Sequence, residues 1–258
     1  MTQASPNDPR SALVTGGAQR LGRAIALRLA AEGWNVAIHY LDSPDASAAT
    51  VAELRALGVR AGAVQHDLQS DAPLAPMLDA CEAAVGPLQC IVNNAARFEY
   101  DSATDFSLAG FEAHMRTNVA APVRLALALH ARLPAGAQGV VINLLDQKLW
   151  NPNPDFLSYT LSKAALESAT GLLARALAPQ LRVVGVAPGI TLPARGQTDS
   201  GFAAAHAATP LGRSSTAQDV ARAVAFLAGA PAITGTTLLV DGGQHLVPSA
   251  RDIMFLTS

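Results

Sequence analysis

Charged residues are scarce in this chain and balanced in sign. Aspartate, glutamate, lysine and arginine make up 15% of the 258 residues, with 18 basic and 20 acidic side chains and a net charge of −2. No basic stripe or arginine-rich arm occurs, and proteins that bind nucleic acid need such a surface to neutralise phosphates. The charge pattern therefore gives no reason to expect a nucleic-acid partner.

Long apolar runs and cysteines are scarce as well. No uninterrupted apolar stretch approaches the ~20 residues that a membrane helix requires. Residues 1–10 are polar and lack the apolar core of a signal peptide, so we expect them to form a flexible tail. Cys81 and Cys90 do not have metal-ligand spacing, and the six histidines are scattered without a zinc signature. These absences predict a cytoplasmic protein with reduced thiols, without a metal centre and without a membrane partner.

Half of the residues are hydrophobic, and they follow two alternating patterns. Short runs with β-branched residues predict buried strands, and apolar residues three or four apart predict helices. The predicted strands cover 11–15, 35–40, 60–65, 88–92, 139–145, 181–186 and 236–240. The predicted helices cover 23–32, 46–57, 75–85, 111–133, 158–178 and 216–228, and irregular loops are expected over 148–157 and 192–211. This alternation predicts one α/β domain over residues 11–258, a Rossmann-like, doubly wound parallel sheet of about seven strands with helices on both faces.

A glycine-rich turn follows the first predicted strand. Residues 16–22 read Gly-Gly-Ala-Gln-Arg-Leu-Gly, and a helical pattern begins directly after them. Small residues let the backbone approach a pyrophosphate, and a helix N-terminus attracts its negative charge. Strand, glycine turn and helix in succession therefore favour a nucleotide site over an ordinary tight turn.

The end of the second predicted strand leaves the type of nucleotide open. In a dinucleotide fold this end lies beside the adenosine ribose, where an acidic residue favours NAD and an arginine favours NADP. The chain has Tyr40, Leu41, Asp42 and Ser43 there, which do not decide between the two. Asp42 alternatively begins the turn before Pro44.

Polar residues stand at the carboxyl ends of three later strands. Asp67 is placed either to bond an adenine amino group or to cap a helix. Asn93 and Asn94 are placed to contact a ligand or to satisfy nearby backbone groups. Asp146 follows the most apolar strand, a position typical of functional carboxylates in parallel sheets. Its alternative roles are a helix cap or a salt bridge to Lys148.

Tyr159 and Lys163 lie four residues apart in a predicted helix, so they project from one face. An ammonium group one turn away is expected to lower the pKa of a phenol, which is ~10 in water, and to make it a proton donor near neutral pH. Such a pair also arises by chance, as a ring packed on a lysine stem. Asn118, in the middle of an apolar helix, is expected either to bond distorted backbone or to hold a water for proton relay.

In this order, these residues resemble the short-chain dehydrogenase/reductase family over residues 10–245. The matching positions are Thr15-Gly16, Asp67, Asn93-Asn94-Ala95, Asn118, Tyr159 to Lys163, Pro188-Gly189 and Asp241-Gly242-Gly243. The resemblance implies an NAD(P)-dependent oxidoreductase that forms a homotetramer. It also implies that Tyr159 donates the proton, that Lys163 bonds the nicotinamide ribose and that Asn118 holds a water. The cofactor contacts that it implies are Gly16, Arg20, Leu21, Tyr40, Ser43, Asp67, Leu68, Asn94, Ala95, Lys163, Pro188, Gly189 and Ile190.

Three positions are similar to the pteridine reductase branch of that family. Arg20 stands where a second glycine is usual, Asp146 where a catalytic serine is usual, and Phe98 four residues after the second asparagine. In that branch the aromatic ring stacks the pterin against the nicotinamide. The resemblance therefore implies that Arg20, Phe98, Asp146 and Tyr159 contact a pterin-like substrate. The resemblance to that branch favours NADP(H). The basic residues usual there at positions 19 and 41–42 are replaced by Gln19 and Leu41-Asp42, so NAD(H) stays open.

The expected activity is hydride transfer to a C=N or C=O bond of a pterin-like ring. Two alternatives are a short-chain reductase acting on a carbonyl group of other metabolism and a dinucleotide-binding sensor with little turnover. The apolar C-terminal segment 252–256 is expected either to dock on a neighbouring subunit or to cover the sheet edge of its own chain.

Overall fold

The computed structural model describes residues 10–193 and 198–255. All of the predicted N-terminal tail except Arg10 lies outside this range. Residues 194–197 of the predicted loop over 192–211 and the end of the C-terminal segment, from Leu256, lie outside it as well.

Seven strands form one parallel sheet, as the alternating pattern predicts. The strands are β1 (Ser11–Val14), β2 (Asn35–Tyr40), β3 (Ala61–Gln65), β4 (Cys90–Asn93), β5 (Gly139–Leu144), β6 (Leu181–Pro188) and β7 (Thr237–Val240). Their order is β3-β2-β1-β4-β5-β6-β7, and each neighbouring pair is parallel. The order reverses between β1 and β4, where the crossovers diverge and leave a crevice at the carboxyl ends of the strands.

Helices cover both faces of this sheet. They are α1 (Arg20–Ala31), α2 (Pro44–Ala56), α3 (Ala75–Val85), α4 (Leu108–Met115), α5 (Ala121–Arg132), α6 (Leu157–Ala176), α7 (Asp199–Ala207) and α8 (Ala217–Ala228). Alternate strand residues face opposite layers. Ala12 and Val14 belong to the core under α1, α2 and α8, whereas Leu13 belongs to the core under α3, α5 and α6. The predicted doubly wound fold is confirmed.

The long helix predicted over 111–133 is built from three consecutive pieces. Helices α4 and α5 are joined by a π-helical turn over Arg116–Ala120. Asn118 lies in this turn and is only 1% exposed. A π-helical turn widens the helix by one residue and is common at functional sites, so the position predicted to be distorted is the one that departs from α-helical geometry.

The prediction of an irregular loop over 192–211 is wrong for part of it, because α7 forms there. The hydroxyl of Thr198 accepts a hydrogen bond from the N–H of Gly201, and Asp199 supplies an acidic group in the first turn. Pro193 and Pro210 lie outside the helix and do not interrupt it. The loop predicted over 148–157 is likewise preceded and overlapped by one 3-10 turn, Gln147–Leu149.

Within the residues that the structure describes, no helix is both long enough and apolar enough to cross a membrane.

Candidate active site

A cleft of about 510 Å³ opens at the carboxyl ends of the strands around the switch point. The turn after β1 forms one side of it, and the ends of β2, β3 and β4 form the rest. The predicted cofactor residues in the first half of the chain all line this cleft: Gly16, Arg20, Leu21, Tyr40, Ser43, Asp67, Leu68, Asn94 and Ala95.

The glycine turn is packed too closely for larger residues. A Cβ atom at Gly22 would lie 2.1 Å from the carbonyl oxygen of Gly16 and 2.6 Å from the side-chain nitrogen of Asn94. Gly16 itself has a φ of +61°, a conformation that favours glycine. These contacts bring the glycine turn and α1 close to the end of β4. The opposite side of the turn faces the cleft, where a pyrophosphate can approach the backbone.

The N-terminus of α1 is free to bind an anion. Its N-cap residue, Gln19, makes no side-chain hydrogen bond to the helix, and no acidic residue occurs in the first turn. The first N–H groups of a helix lack intrahelical partners and carry the positive end of the helix dipole. This end of the cleft therefore fits the pyrophosphate of a dinucleotide.

Asn94 and Thr15 join the turn to β4. The amide of Asn94 donates to the carbonyl oxygens of Thr15 at 2.9 Å and Gly16 at 3.2 Å. The hydroxyl of Thr15 accepts from the N–H groups of Asn94 and Ala95, both at 3.0 Å. Asn94 therefore bonds nearby backbone groups, which is one of its two expected roles. Asn93 donates to Asn143 on β5 at 2.8 Å, and so pairs two strands inside the sheet.

Sequence reasoning missed several residues of the cleft, among them a histidine. His39 accepts the N–H of Gly16 at its Nδ1 atom (3.2 Å), and its Nε2 atom lies 2.9 Å from the carbonyl oxygen of His66. This pattern requires the tautomer protonated at Nε2, and burial lowers the pKa of His39. A lone histidine within a strand carries no motif, so only its position could reveal this role. The other cleft residues without an assigned role are Ala18, His66, Gln69, Ala96, Arg97 and Thr117.

Arg20 and Asp67 each make a contact within the protein. The guanidinium of Arg20 donates to the carbonyl oxygen of Pro193 at 2.7 Å and so links the glycine turn to the segment after β6. The carboxylate of Asp67 accepts the N–H of Gln69 at 2.9 Å, which closes a local turn. Both residues nonetheless line the cleft.

Asp146, Tyr159 and Lys163 form a cluster beyond β5, in which Tyr159 and Lys163 are buried and Asp146 is partly buried. The hydroxyl of Tyr159 donates to Oδ2 of Asp146 at 2.9 Å, and the N–H of Lys148 donates to Oδ1 at 2.8 Å. The ammonium of Lys163 donates to the carbonyl oxygen of Leu144 at 2.6 Å and lies 5.6 Å from the ring centroid of Tyr159. Asp146 is therefore both the cap of a 3-10 turn and the partner of Tyr159. The ammonium of Lys148 bonds Asp155 and Asp252 instead of Asp146.

Burial controls proton affinity in this cluster. It raises the pKa of Asp146, against the opposing effects of Lys148, Tyr159 and Lys163. Burial and the adjacent Asp146 raise the pKa of Tyr159 well above its ordinary value, and burial lowers the pKa of Lys163 to about 8. The expectation that Lys163 lowers the pKa of Tyr159 is wrong in this geometry, because the buried phenol faces a carboxylate. Asp146 and Tyr159 both hold their protons more tightly than in water.

Asn118 is tied to α6 through Ser162. Its side-chain oxygen accepts the N–H of Arg97 at 2.8 Å, and its amide donates to the carbonyl oxygen of Arg97 at 3.0 Å and to the hydroxyl of Ser162 at 2.9 Å. Ser162 in turn donates to the carbonyl oxygen of Tyr159 at 2.6 Å. Asn118 thus supports backbone, as one of its two expected roles requires. Its role in holding a water stays a prediction.

The predicted cofactor residues Pro188, Gly189 and Ile190 lie at the end of β6, outside the lining of the cleft described above. The N–H of Gly189 donates to Val240 at 3.0 Å, and the N–H of Ile190 donates to the side chain of Gln244 at 3.1 Å. A Cβ atom at Gly189 would lie 2.7 Å from that same side chain. The residues after β7 therefore determine where this strand end lies.

Aromatic residues gather beside Tyr159. The chain has seven phenylalanines, three tyrosines and two tryptophans, and five of these rings meet here. Phe98 stacks on Phe156, with centroids 4.4 Å apart, and meets the edge of Tyr159 at 4.7 Å. Tyr100 and Phe255 pack on Phe156 at 5.2 and 6.1 Å. Phe98 is half-exposed, so the predicted substrate residue lies at the open side of this cluster.

Three of these rings, Tyr100, Phe156 and Phe255, were not predicted as site residues. Phe255 belongs to the C-terminal segment, and its ring packs on its own chain. The expectation that this segment covers the sheet edge is wrong for Phe255, because its ring meets Tyr100 edge-to-face and stacks on Phe156, beside Tyr159.

The chain is similar to known reductases and dehydrogenases over most of its length. A family model described as Enoyl-(Acyl carrier protein) reductase matches residues 16–245. The chain is 31% identical over 242 residues to the 3-oxoacyl-(acyl-carrier-protein) reductase FabG of Staphylococcus epidermidis, covering 92% of this chain and 99% of the relative. It is 34% identical over 254 residues to 3beta-hydroxysteroid dehydrogenase 1 of Eggerthella lenta, covering 93% and 95%.

A solved structure is also similar over most of its length. FolM alternative dihydrofolate reductase 1 from Brucella canis, complexed with NADP, superposes with a TM-score of 0.87 at 38% identity and covers 95% of this chain and 97% of that one. The corresponding protein from Brucella suis, also in complex with NADP, gives a TM-score of 0.86 at the same identity.

Proposed function

This chain belongs to the short-chain dehydrogenase/reductase family of NAD(P)-dependent oxidoreductases, and on that premise we propose that it uses NADPH to reduce a C=N or C=O bond of a pterin-like substrate. The observation that carries the proposal is the pair of the partly buried Asp146 and the buried Tyr159, joined by a hydrogen bond of 2.9 Å. A carboxyl group stands where the family usually has a serine. A carboxyl group can deliver a proton to a ring nitrogen or bond the donor-rich edge of an aminopterin.

The proton for this reaction would come from Tyr159. Its pKa and that of Asp146 are both raised by burial, so the pair keeps a proton at neutral pH until a substrate atom accepts it. Lys163 lies one helical turn away and is held by the carbonyl oxygen of Leu144. Asn118 would hold the water that replaces the proton. Because its side chain is already bonded, the main chain of the π-helical turn is the part that would do so.

NADP(H) would lie in the cleft between the glycine turn and the end of β4. When bound, it supplies the hydride. The close packing of Gly16 and Gly22 and the uncapped N-terminus of α1 fit its pyrophosphate. The two FolM structures contain NADP, which supports the phosphorylated cofactor. Ser43 and Arg20 would help to hold its additional phosphate.

Asp42 is the residue that argues for NADH instead. It lies at the mouth of the cleft, where its carboxylate accepts the hydroxyl of Ser43 at 3.2 Å. A carboxylate in that position repels a 2′-phosphate. Titration of the protein with NADPH and NADH decides between the two cofactors.

The substrate would lie against the half-exposed ring of Phe98. This ring stands 4.7 Å from Tyr159 and is backed by Phe156, so a planar ring that stacks on it lies close to the proton donor. Arg20 would face the polar edge of the substrate from the other side of the cleft. A flat heterocycle matches this arrangement better than a flexible acyl chain does.

A second candidate function is the reduction of a ketone. The similarity to FabG and to a hydroxysteroid dehydrogenase favours it. Tyr159 and Lys163 would act in the same way, whereas Asp146 and Phe98 would have no specific task. The two functions differ in what the carboxyl group of Asp146 contributes.

The test is a screen of NADPH and NADH oxidation with dihydropterins and a small set of ketones, repeated with Asp146→Ser. We expect pterin turnover in the unaltered protein and a loss in the variant that is greater for pterins than for ketones, on the order of 10²-fold for a removed proton-transfer group. An equal loss for both substrate classes would mean that Asp146 does not specify a heterocycle. Turnover of ketones alone would support the second candidate.

The assembly and location of the protein are part of the proposal. We propose a homotetramer in the cytoplasm. Apolar side chains are exposed on α5 and α6 (Leu127, Leu161 and Leu172), on α8 (Phe226) and on the edge strand β7 (Leu238), and such surfaces are typical of subunit contacts. Cys81 and Cys90 are buried free thiols, in keeping with a reducing compartment.

A further inference from the structure

Residues 147–156, here called the Asp146 loop, connect Asp146 to the helix that carries Tyr159, and two of them are buried charged groups. Lys148 is 4% exposed and Asp155 is 3% exposed. The loop contains Pro152 and Pro154 and, after one 3-10 turn, no regular structure. It therefore lacks the backbone hydrogen bonds that hold a strand or helix in place, and its position must come from side-chain contacts.

A longer segment after β7, Gln244–Phe255, provides the partners of those buried charges. The carboxylate of Asp155 accepts from Nε of Arg251 at 2.8 Å and from the N–H of Asp252 at 2.7 Å. The ammonium of Lys148 donates to the carboxylate of Asp252 at 3.1 Å and to the carbonyl oxygen of Asp155 at 2.6 Å. Buried charges are tolerated only when they are paired in this way.

Two uncharged contacts join the same segments. The amide of Asn151 donates to the carbonyl oxygens of Val247 at 2.6 Å and Gln244 at 3.3 Å. The ring of Phe255 packs on Phe156, which in turn stacks on Phe98. Loop and segment are thus held together along their length.

From these contacts, we propose that Arg251 and Asp252 are positioning residues for the reaction, because they place the Asp146 loop and hence the carboxylate of Asp146 and the ring of Phe98. The link to Asp146 is short. The residue whose ammonium pairs with Asp252 is Lys148, and the N–H of Lys148 holds Oδ1 of Asp146 at 2.8 Å. The link to Phe98 runs through Asp155 and its neighbour Phe156.

The direction of support runs from the segment to the loop. The segment begins at the turn Asp241–Gln244, which is itself fixed: Asp241 is buried, and its carboxylate accepts the N–H groups of Gly243 and His245. Gln244 also holds the N–H of Ile190 at the end of β6. One stretch of chain therefore braces the predicted nicotinamide end of the cofactor site and the predicted substrate wall together.

The part of this inference that concerns a pterin rests on the proposed function, whereas the placement of the loop does not. We therefore separate the two in the experiment. The first arm measures steady-state kinetics of Asp252→Asn and Lys148→Met with a dihydropterin, or with a ketone if only ketones are turned over. It includes the conservative variants Asp252→Glu and Lys148→Arg.

Removing one partner of the pair should raise KM and lower kcat/KM about tenfold or more, since a shift of the reacting groups by ~1 Å costs up to ~10²-fold. The Kd of NADPH should change less than twofold, because the cleft between β1 and β4 is not touched. The conservative variants should recover most of the loss. Asp71→Asn, which breaks the exposed ion pair of Arg116 with Asp71, is the matched control and should resemble the unaltered protein.

The second arm needs no substrate. The N–H groups of Leu149, Trp150 and Asn151 are hydrogen-bonded in the 3-10 turn, so their hydrogen exchange reports the order of the loop. Asp252→Asn should accelerate exchange in 147–156 at least tenfold while leaving β5 and α6 unchanged.

Unchanged loop exchange together with unchanged KM in both variants would overturn the proposal. Faster loop exchange without any pterin turnover would support the positioning role and would reject a pterin as the substrate. Faster exchange throughout the molecule would show general destabilisation in place of a positioning role, and would also overturn the proposal.

Discussion

The pKa of Tyr159 shifts in the direction opposite to that expected of a phenol beside a lysine. The sequence suggests a phenol that is acidified by Lys163, whereas the structure surrounds it with apolar groups and a carboxylate, so its pKa rises. Such a phenol keeps its proton at neutral pH.

The variant Tyr159→Phe tests whether this phenol is the proton donor. The substitution removes the hydroxyl and keeps the ring that packs against Phe98. Turnover should fall by about 10²–10⁴-fold, the usual contribution of a proton donor, while the Kd of NADPH, measured by fluorescence titration, stays within twofold. Substantial residual turnover would mean that another group, with Asp146 the first choice, delivers the proton.

A second prediction concerns the pH dependence set by Lys163. Burial lowers its pKa from an ordinary 10.5 to about 8, so the folded protein loses this charge as the pH rises through about 8. We expect kcat/KM for reduction to fall above that pH. Folding stability should do the opposite between pH 8 and 10.5, because the unfolded chain binds more protons there and stability rises with pH.

The two trends can be measured on the same samples, by a pH–rate profile and by denaturant unfolding. Lys163→Met should be weakly active at every pH, and its kcat/KM should no longer fall near pH 8. A fall that persists in this variant would belong to a different group.

Among the elements, the glycine turn and α1 were the most predictable. Gly16 to Gly22 occur directly after a strand pattern, and the local sequence is sufficient to specify a strand, a tight turn and a helix. The capping box at α8 was equally local: the hydroxyl of Thr216 bonds the N–H of Asp219, and the carboxylate of Asp219 bonds the N–H of Thr216. The helix α7 was missed because prolines and glycines around it outweighed the weaker cap at Thr198.

We predict that Gly22→Ala abolishes tight cofactor binding. An added Cβ atom would lie 2.1 Å from the carbonyl oxygen of Gly16, so the turn has to move. We expect the Kd of NADPH to increase at least tenfold, because the backbone approach to the pyrophosphate is lost.

The matched control for this variant is Gly171→Ala. It also replaces a helical glycine, but a Cβ atom there meets nothing within 4 Å. It should leave the Kd unchanged and stabilise the protein by up to about 1 kcal/mol through helix propensity. Equal effects of the two variants on the Kd would contradict a specific role of the turn.

For the whole molecule, the exposed apolar side chains bear on assembly. Phe226 on α8 is 60% exposed, and α8 packs in part on the edge strand β7. An unpaired strand edge beside an exposed aromatic ring is rarely left open in a stable protein. A partner subunit is the proposed cover.

We predict that light scattering after size exclusion gives four times the mass of one chain, and that Phe226→Glu reduces this to a dimer or monomer. A charge placed inside a subunit contact is strongly unfavourable. Leu57→Glu, at an exposed leucine beyond the end of α2, should leave the mass unchanged. A single-chain mass for the unaltered protein would refute the tetramer.

Several features of this protein follow from the sequence alone. The fold, the glycine turn and the pairing of Tyr159 with Lys163 on one face of a helix depend on residues close together in the chain, because periodicity and turn chemistry are local. The same is true of Asp146 at a strand end. The structure was not required to find them.

Only the tertiary structure decided how these residues act on one another. The proton affinity of Tyr159 depends on burial and on a carboxylate thirteen residues away, and the position of the Asp146 loop depends on Arg251 and Asp252, about a hundred residues further along the chain. Neither burial nor long-range charge pairing has a sequence period, since both arise when separate elements pack. The residue types of the candidate site could therefore be listed in advance, but their electrostatics could not.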